Sequence, residues 1–183
     1  NLSCHFNVIV DGGTDFAAIK GMKSANEASA HLEQYWRMLT LAGRTLKLVI
    51  VDAGSCILNK PLEARLAAAG IKVTRLERGF KVGAAERTIR TIREGGKKVM
   101  ITQHCSLGEW LPAYEAYTAR RNVLPRTNSR VSRLQALLGT VPHWNMHLAV
   151  NPMAIVVYHA PATGQSSGTL DTKGKLARFI KYE

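Results

Sequence analysis

The chain has 183 residues, enough for one ordinary domain, or a domain with a small appendage, around a real hydrophobic core. Lysine and arginine number 25 against 13 acidic residues, a formal charge of +12, and 46% of the residues are hydrophobic. That balance excludes a disordered chain, and no apolar run approaches the roughly 18 residues that a membrane-spanning helix needs.

The charge is uneven. Residues 1–50 carry five basic and four acidic side chains, a net of +1, which leaves +11 for residues 51–183. Such a field attracts polyanions, and nucleic acid is the partner it predicts; a merely soluble basic protein is the plain alternative. Cys4, Cys56 and Cys105 lie far apart with no paired ligand spacing, which predicts an intracellular, reducing compartment and no structural zinc. The opening Asn1-Leu2-Ser3-Cys4-His5 has neither an initiator Met nor a signal pattern, and reads as an excerpt or a processed product.

Residues 4–10 form a β-branched run that meets Asp11-Gly12-Gly13-Thr14, so a strand is predicted to turn and return over residues 16–20. Ser24 with Glu27 has the spacing of a capping box, and Ala28, Leu32, Tyr35, Leu39 and Ala42 recur at helical spacing until Gly43. Leu46 to Val51 is almost wholly apolar, as in a strand covered on both faces, and delivers Asp52 at its end. Pro61 and Gly70 bracket a helix carrying Leu62, Leu66 and Ala69, and Ile71 to Leu76 reads as a further strand. Strands alternating with helices in this order predict an α/β domain.

The next helix opens at Gly83. On a helical wheel Glu86, Arg90, Arg93 and Lys97 fall on one face, and Ala85, Ile89, Ile92 and Val99 on another. A carboxylate in a basic stripe suits a metal-dependent nucleic-acid enzyme; a solvated amphipathic helix is the plain alternative. A second capping box, Ser106 with Glu109, starts a helix through Trp110, Ala113, Tyr114 and Tyr117 that ends at Arg120-Arg121-Asn122. Arg126, Arg130 and Arg133 lead to a short helix with Leu134, Leu137 and Leu138 closed by Gly139, and residues 153–159 and 176–182 read as strands of a small β appendage. The six histidines have no ligand spacing.

Asp52 closing a buried strand and Glu86 opening a helix are the two acidic residues in informative places, since two-metal phosphoryl transfer draws carboxylates from separate elements. A turn former or helix cap is the plain alternative for Asp52. In order and approximate spacing, Asp11-Gly12-Gly13-Thr14-Asp15-Phe16, Lys23-Ser24-Ala25-Asn26-Glu27-Ala28, Asp52-Ala53-Gly54-Ser55 and Gly83-Ala84-Ala85-Glu86-Arg87 resemble the integrase of copia-type retrotransposons. Arg121-Asn122-Val123-Leu124-Pro125, Ala136-Leu137-Leu138-Gly139, Leu170-Asp171-Thr172-Lys173-Gly174-Lys175 and Phe179-Ile180-Lys181-Tyr182 extend the resemblance to nearly the whole chain.

The resemblance implies an α/β, RNase H-like integrase core over residues 1–125, a basic helical connector over 126–151 and a small β module over 152–183. It implies polynucleotidyl transfer, with Asp52 and Glu86 as catalytic ligands of Mg²⁺ or Mn²⁺, and with Arg78, Lys81, Arg87, Arg90, Arg93 and Lys97 contacting nucleic acid. The chain also departs from that pattern. No residue corresponds to the family's first catalytic Asp, which lies on a central strand preceding the one that opens this chain. Cys56 stands where an acidic residue is usual, and Lys181 stands for a usual glycine. Two readings follow. One is a nucleic-acid-binding subunit of integrase descent, catalytically inactive, held in a larger ribonucleoprotein and bound to DNA or RNA, whose sheet is completed by a protein partner or an upstream segment. The other is part of an active nuclear integrase performing Mg²⁺-dependent 3′-processing and strand transfer. The departures favour the first.

Overall fold

The computed structural model of the chain describes residues 5–52, 57–77, 83–125, 129–142, 153–158 and 175–178. Strand β1 (His5–Val10) pairs antiparallel with β2 (Ala17–Met22), Asn7 opposite Lys20 and Val10 opposite Ala17. The turn between them is set by Asp11, whose Oδ2 accepts from the N–H groups of Gly13 (3.1 Å) and Thr14 (2.7 Å) and from the Thr14 hydroxyl (2.7 Å). Asp15 then takes φ of 60°, a left-handed conformation that Asp tolerates better than most residues, and the chain turns back into β2.

Helix α1 (Glu27–Leu41) buries Ala28, Leu32, Tyr35 and Leu39 of the predicted stripe, and His31 beside them, while Ala42 is its half-buried C-cap, and the chain leaves through Gly43 at φ 67°. Its start differs from expectation. Glu27 accepts from the Lys23 and Ser24 N–H groups, but the N-cap is Asn26 and no side chain caps the helix. The Ser24 half of the predicted box is therefore missing, because the N-cap lies two residues past Ser24.

Strand β3 (Leu48–Val51) and β4 (Lys72–Arg75) pair in parallel around helix α2 (Lys60–Ala68). The Asn59 side chain accepts from the Leu62 N–H at 2.9 Å, Pro61 occupies the first turn, and Gly70 leaves the helix at φ 71°. Val49 and Val51 join Leu32, Leu58, Leu62, Leu66 and Ile71 in one core cluster. The opposite face of β3 corrects the sequence reading, since Leu48 and Ile50 are each 45% exposed. Among the described residues, β3 is covered on one face only.

Helix α3 (Gly83–Thr102) packs against α4 (Trp110–Val123) at very short range. A Cβ on Gly95 would fall within the Tyr117 ring and one on Gly96 within the Tyr114 ring, so only glycine lets the two helices approach this closely. The predicted Ser106–Glu109 capping box is present with both of its bonds, and it sets a single 3₁₀ turn ahead of α4. Ile92, Ala113, Tyr114 and Ala116 cluster with Ala17 of β2 and with Met153.

Two polar ties bind the β1–β2 hairpin to later elements. Arg121 Nη2 (2.7 Å) and Arg133 Nε (2.9 Å), the latter on helix α5 (Arg133–Leu138), meet on Asp15 Oδ2. Burial opposes the Asp15 charge, but hydrogen bonds from Arg133 and Arg121, and their charges, hold its carboxyl below the usual range. In the second tie, Asn122 grips the backbone of Ala17. Helix α5 is capped by Ser132, which accepts from the Gln135 N–H, and ends at Gly139, φ 78°, as its sequence predicts.

The six described strands form three two-stranded sheets, β1–β2, β3–β4, and β5 (Ile155–Tyr158) antiparallel to β6 (Lys175–Arg178). The predicted hairpin and the predicted strand–helix–strand unit are both present, and no described strand joins their two strand pairs into one sheet. No described helix is long and apolar enough to cross a membrane. Ala53 to Cys56, Arg78, Lys81, Arg126, His143, His147, Leu170 to Gly174 and Phe179 to Tyr182, all singled out by sequence, lie outside the described residues.

Candidate nucleic-acid interface

Helix α3 divides as its sequence predicts. Thr88, Ile92, Gly95 and Gly96 are buried, Ala85, Ile89 and Val99 are half-buried, and Glu86, Arg90, Arg93 and Lys97 are all exposed on the opposite side. Arg87 is exposed on the flank. With Lys98, the helix carries five cations against Glu86 and Glu94, so its solvent side has a clear positive excess.

Arg93 is anchored. Its Cζ lies 5.7 Å from the centre of the Phe6 ring, within cation–π range. Phe6 is itself fixed by Trp110 and Tyr114, each with its ring centre 5.9 Å away. The guanidinium stem thus rests on an aromatic cluster of the core, which lowers the entropy cost of presenting the charge to a phosphate.

A cleft of about 440 Å³ runs between α3 and α4, lined among others by Thr91, Glu94, Lys98, Thr102, Tyr117 and Arg120. Lys98 and Arg120 extend the positive surface beyond the three cations found on the wheel. The sequence reading missed both. Lys98 sits 100° round the helix from Lys97, and Arg120 reaches the cleft from another helix, so no single-helix periodicity joins them.

The two carboxylates singled out by sequence lie at element ends. Asp52 is exposed one residue beyond β3, and Glu86 is exposed in the first turn of α3. By type they suit one Mg²⁺, which is often held by one or two carboxylates with water and substrate phosphate completing its shell. Among the described residues, no group of three or more His, Cys, Asp or Glu side chains is placed to hold a metal ion. The further carboxylate that a two-ion centre draws on is therefore not found among them. Arg78 and Lys81 lie outside the described residues, so only Arg87, Arg90, Arg93 and Lys97 of the predicted contacts are placed.

No family model matches the chain. No curated protein matches its sequence. Its fold, by contrast, is similar to that of solved integrases. The HTLV-2 integrase catalytic core domain in complex with magnesium, in its trimeric form, aligns with a TM-score of 0.55 and 18% identity over 72% of this chain and 83% of that one. The dimeric form aligns with a TM-score of 0.52 and 18% identity over 71% and 81%. A chain of the simian T-cell lymphotropic virus intasome, solved in complex with PP2A regulatory subunit B56 gamma, aligns with a TM-score of 0.55 and 19% identity over 85% of this chain and 54% of that one. The architecture is that of an RNase H-like integrase catalytic core, and at these identities the likeness speaks to fold alone.

Proposed function

We propose that this chain is a nucleic-acid-binding domain of integrase descent, of the copia type by its sequence motifs, and that it serves as a binding or structural subunit of a larger intracellular nucleoprotein assembly. The observation that carries the reading is the exposed basic face of α3, Arg90, Arg93 and Lys97 with Arg87 beside them, continued by Lys98 and Arg120 along the α3–α4 cleft. Cations so arranged contact phosphate oxygens, and their binding tolerates sequence and weakens steeply with salt. A protein partner or an upstream segment that completes the sheet belongs to the same reading, consistent with two strand pairs that no described strand joins.

The test is filter binding or anisotropy with a 30-base-pair DNA duplex and an RNA of matched length, at several salt concentrations. Reversing Arg90, Arg93 and Lys97 to Glu is expected to abolish binding at physiological salt and to lower the slope of log K against log salt by about 3. Because Arg93 also rests on Phe6, the pair R90E/K97E serves as a second variant with an expected slope change of about 2. Unchanged affinity in a folded variant overturns the proposal.

A further inference from the structure

The cleft between α3 and α4 carries more than positive charge. Along α3 it is lined by Thr91, Glu94, Lys98 and Thr102, which recur every three or four residues and form one stripe about 16 Å long at about 1.5 Å per residue. Tyr117 and Arg120 of α4 line it from the other side, so a cation stands on each helix. Gly95 lines it too, and because a Cβ there would fall within the Tyr117 ring, the bare glycine is what brings that half-buried ring against α3. The cleft therefore combines two cations, an aromatic ring held by packing, and one exposed carboxylate, Glu94.

Its position beside the basic face is the second observation. Measured round α3 from Arg90, Glu94 stands at about 40°, Arg87 at about 60°, Lys98 at about 80° and Thr91 at about 100°. On a helix about 5 Å in radius the last of these is an arc of about 9 Å, so nucleic acid held by Arg90, Arg93 and Lys97 passes within reach of one swung-out nucleotide from the cleft. The volume of about 440 Å³ is that of a small-molecule site, which admits a base and its sugar and excludes a duplex. Glu94 then narrows the occupant. A groove for phosphates alone gains nothing from a carboxylate, which repels them. A carboxylate does suit a base that offers donors, since both of its oxygens only accept. Guanine presents two adjacent N–H donors on its pairing edge, whereas adenine and cytosine set an acceptor nitrogen beside their amino group and thymine flanks its one N–H with carbonyls.

We infer that the α3–α4 cleft takes up one unpaired guanine nucleotide of a nucleic acid bound along the basic face, with the base against Tyr117, its pairing edge donating to Glu94, and its phosphates on Lys98 and Arg120. The inference rests on the nucleic-acid-binding part of the proposed function and adds a read base to it. Phosphate contacts alone fix position without reading sequence, whereas an aromatic ring next to a carboxylate distinguishes both an unpaired base from a paired one and guanine from the other three. Arg87 and Lys98, on the flank between the basic face and the cleft, carry the backbone across.

The test measures anisotropy with 30-base-pair DNA and RNA duplexes, each either flush or carrying one bulged nucleotide, in turn each of the four bases, at its centre. In the nucleic acid that binds, the bulged guanine is expected to bind at least tenfold more tightly than the flush duplex and about tenfold more tightly than the other bulges. Glu94→Gln is expected to remove the preference for guanine while holding the flush duplex no more weakly. Glu94→Gln/Lys98→Met is expected to remove the advantage of the bulge itself, and since both residues are exposed the double variant leaves the core intact. Failure of every duplex to bind overturns the nucleic-acid-binding reading and this inference with it. Equal affinity for flush and bulged duplexes overturns this inference alone. An advantage equal for all four bases overturns the selection of guanine. A bulge advantage that survives the double variant belongs to easier bending of the bulged duplex on the basic face, and overturns the cleft as its site.

Discussion

Asn122 holds Ala17 by both of its backbone groups. Its Oδ1 accepts from the Ala17 N–H at 3.1 Å and its Nδ2 donates to the Ala17 carbonyl at 2.7 Å, across 105 residues of sequence. One side-chain amide thus does at the β2 edge what a neighbouring strand would do, and it docks α4 on the hairpin. All the atoms are buried, so no water replaces them if the amide is lost. Asn122→Ala is expected to destabilise the fold by about 3 kcal/mol, two buried groups left unpaired. Urea unfolding checks this, and a loss below about 1 kcal/mol would show that the clamp is incidental.

His31 makes stability depend on pH. Burial, and then the neighbouring Lys20 charge, push its pKa down from 6.5 to about 4, and its Nδ1 has no partner among the described residues. Because the folded-state value lies below the unfolded one, the unfolded chain takes up a proton that the folded chain refuses. Stability therefore falls as pH drops from about 6.5 to about 4, by up to roughly 3 kcal/mol. His31→Gln should flatten that part of the pH–stability curve. An unchanged curve would mean that carboxylates alone carry the acid sensitivity.

Glycines at positions 95 and 96 are a packing requirement. Alanine would raise helix propensity by up to about 1 kcal/mol, but its methyl would displace the Tyr117 or Tyr114 ring. Overpacking costs about 1–3 kcal/mol and grows with burial of the displaced group. Gly96→Ala, against the buried Tyr114, is expected to lower the melting temperature more than Gly95→Ala, against the half-buried Tyr117. A rise in either melting temperature would show that the helices separate without penalty.

Two exposed carboxylates, Asp52 and Glu86, are expected to bind divalent metal weakly at most. For a Kd of about 10 mM, addition of about 10 mM Mg²⁺ would stabilise the fold by about 0.4 kcal/mol. A thermal scan is expected to shift little, and equally in Asp52→Asn and Glu86→Gln. A larger shift abolished by either substitution would restore a metal centre to the chain and favour the active-integrase reading.

The sequence by itself determined the features written within a few residues of one another. Asp11 bonds two and three residues ahead, Asn59 caps its own helix, Ser106 and Glu109 close a box, and the stripes of α1 and α3 repeat at the helical period. Such interactions depend on local backbone geometry, so residue type and spacing suffice to read them. The capping box at Ser24 is incomplete, because α1 begins at Glu27 with Asn26 as its N-cap, which the Ser24–Glu27 spacing does not record.

Only the tertiary structure decided the rest. Asp15 meets Arg121 and Arg133 from 106 and 118 residues away, and Gly95 and Gly96 take their meaning from tyrosines on another helix. The exposure of Leu48 and Ile50 depends on what covers their face of β3, which the apolar run does not record. The outward edges of β1 and β3, which no described strand pairs, are likewise a property of neighbours. Backbone hydrogen bonds between strands join groups that every residue carries, so side-chain identity does not reveal which edge is left open.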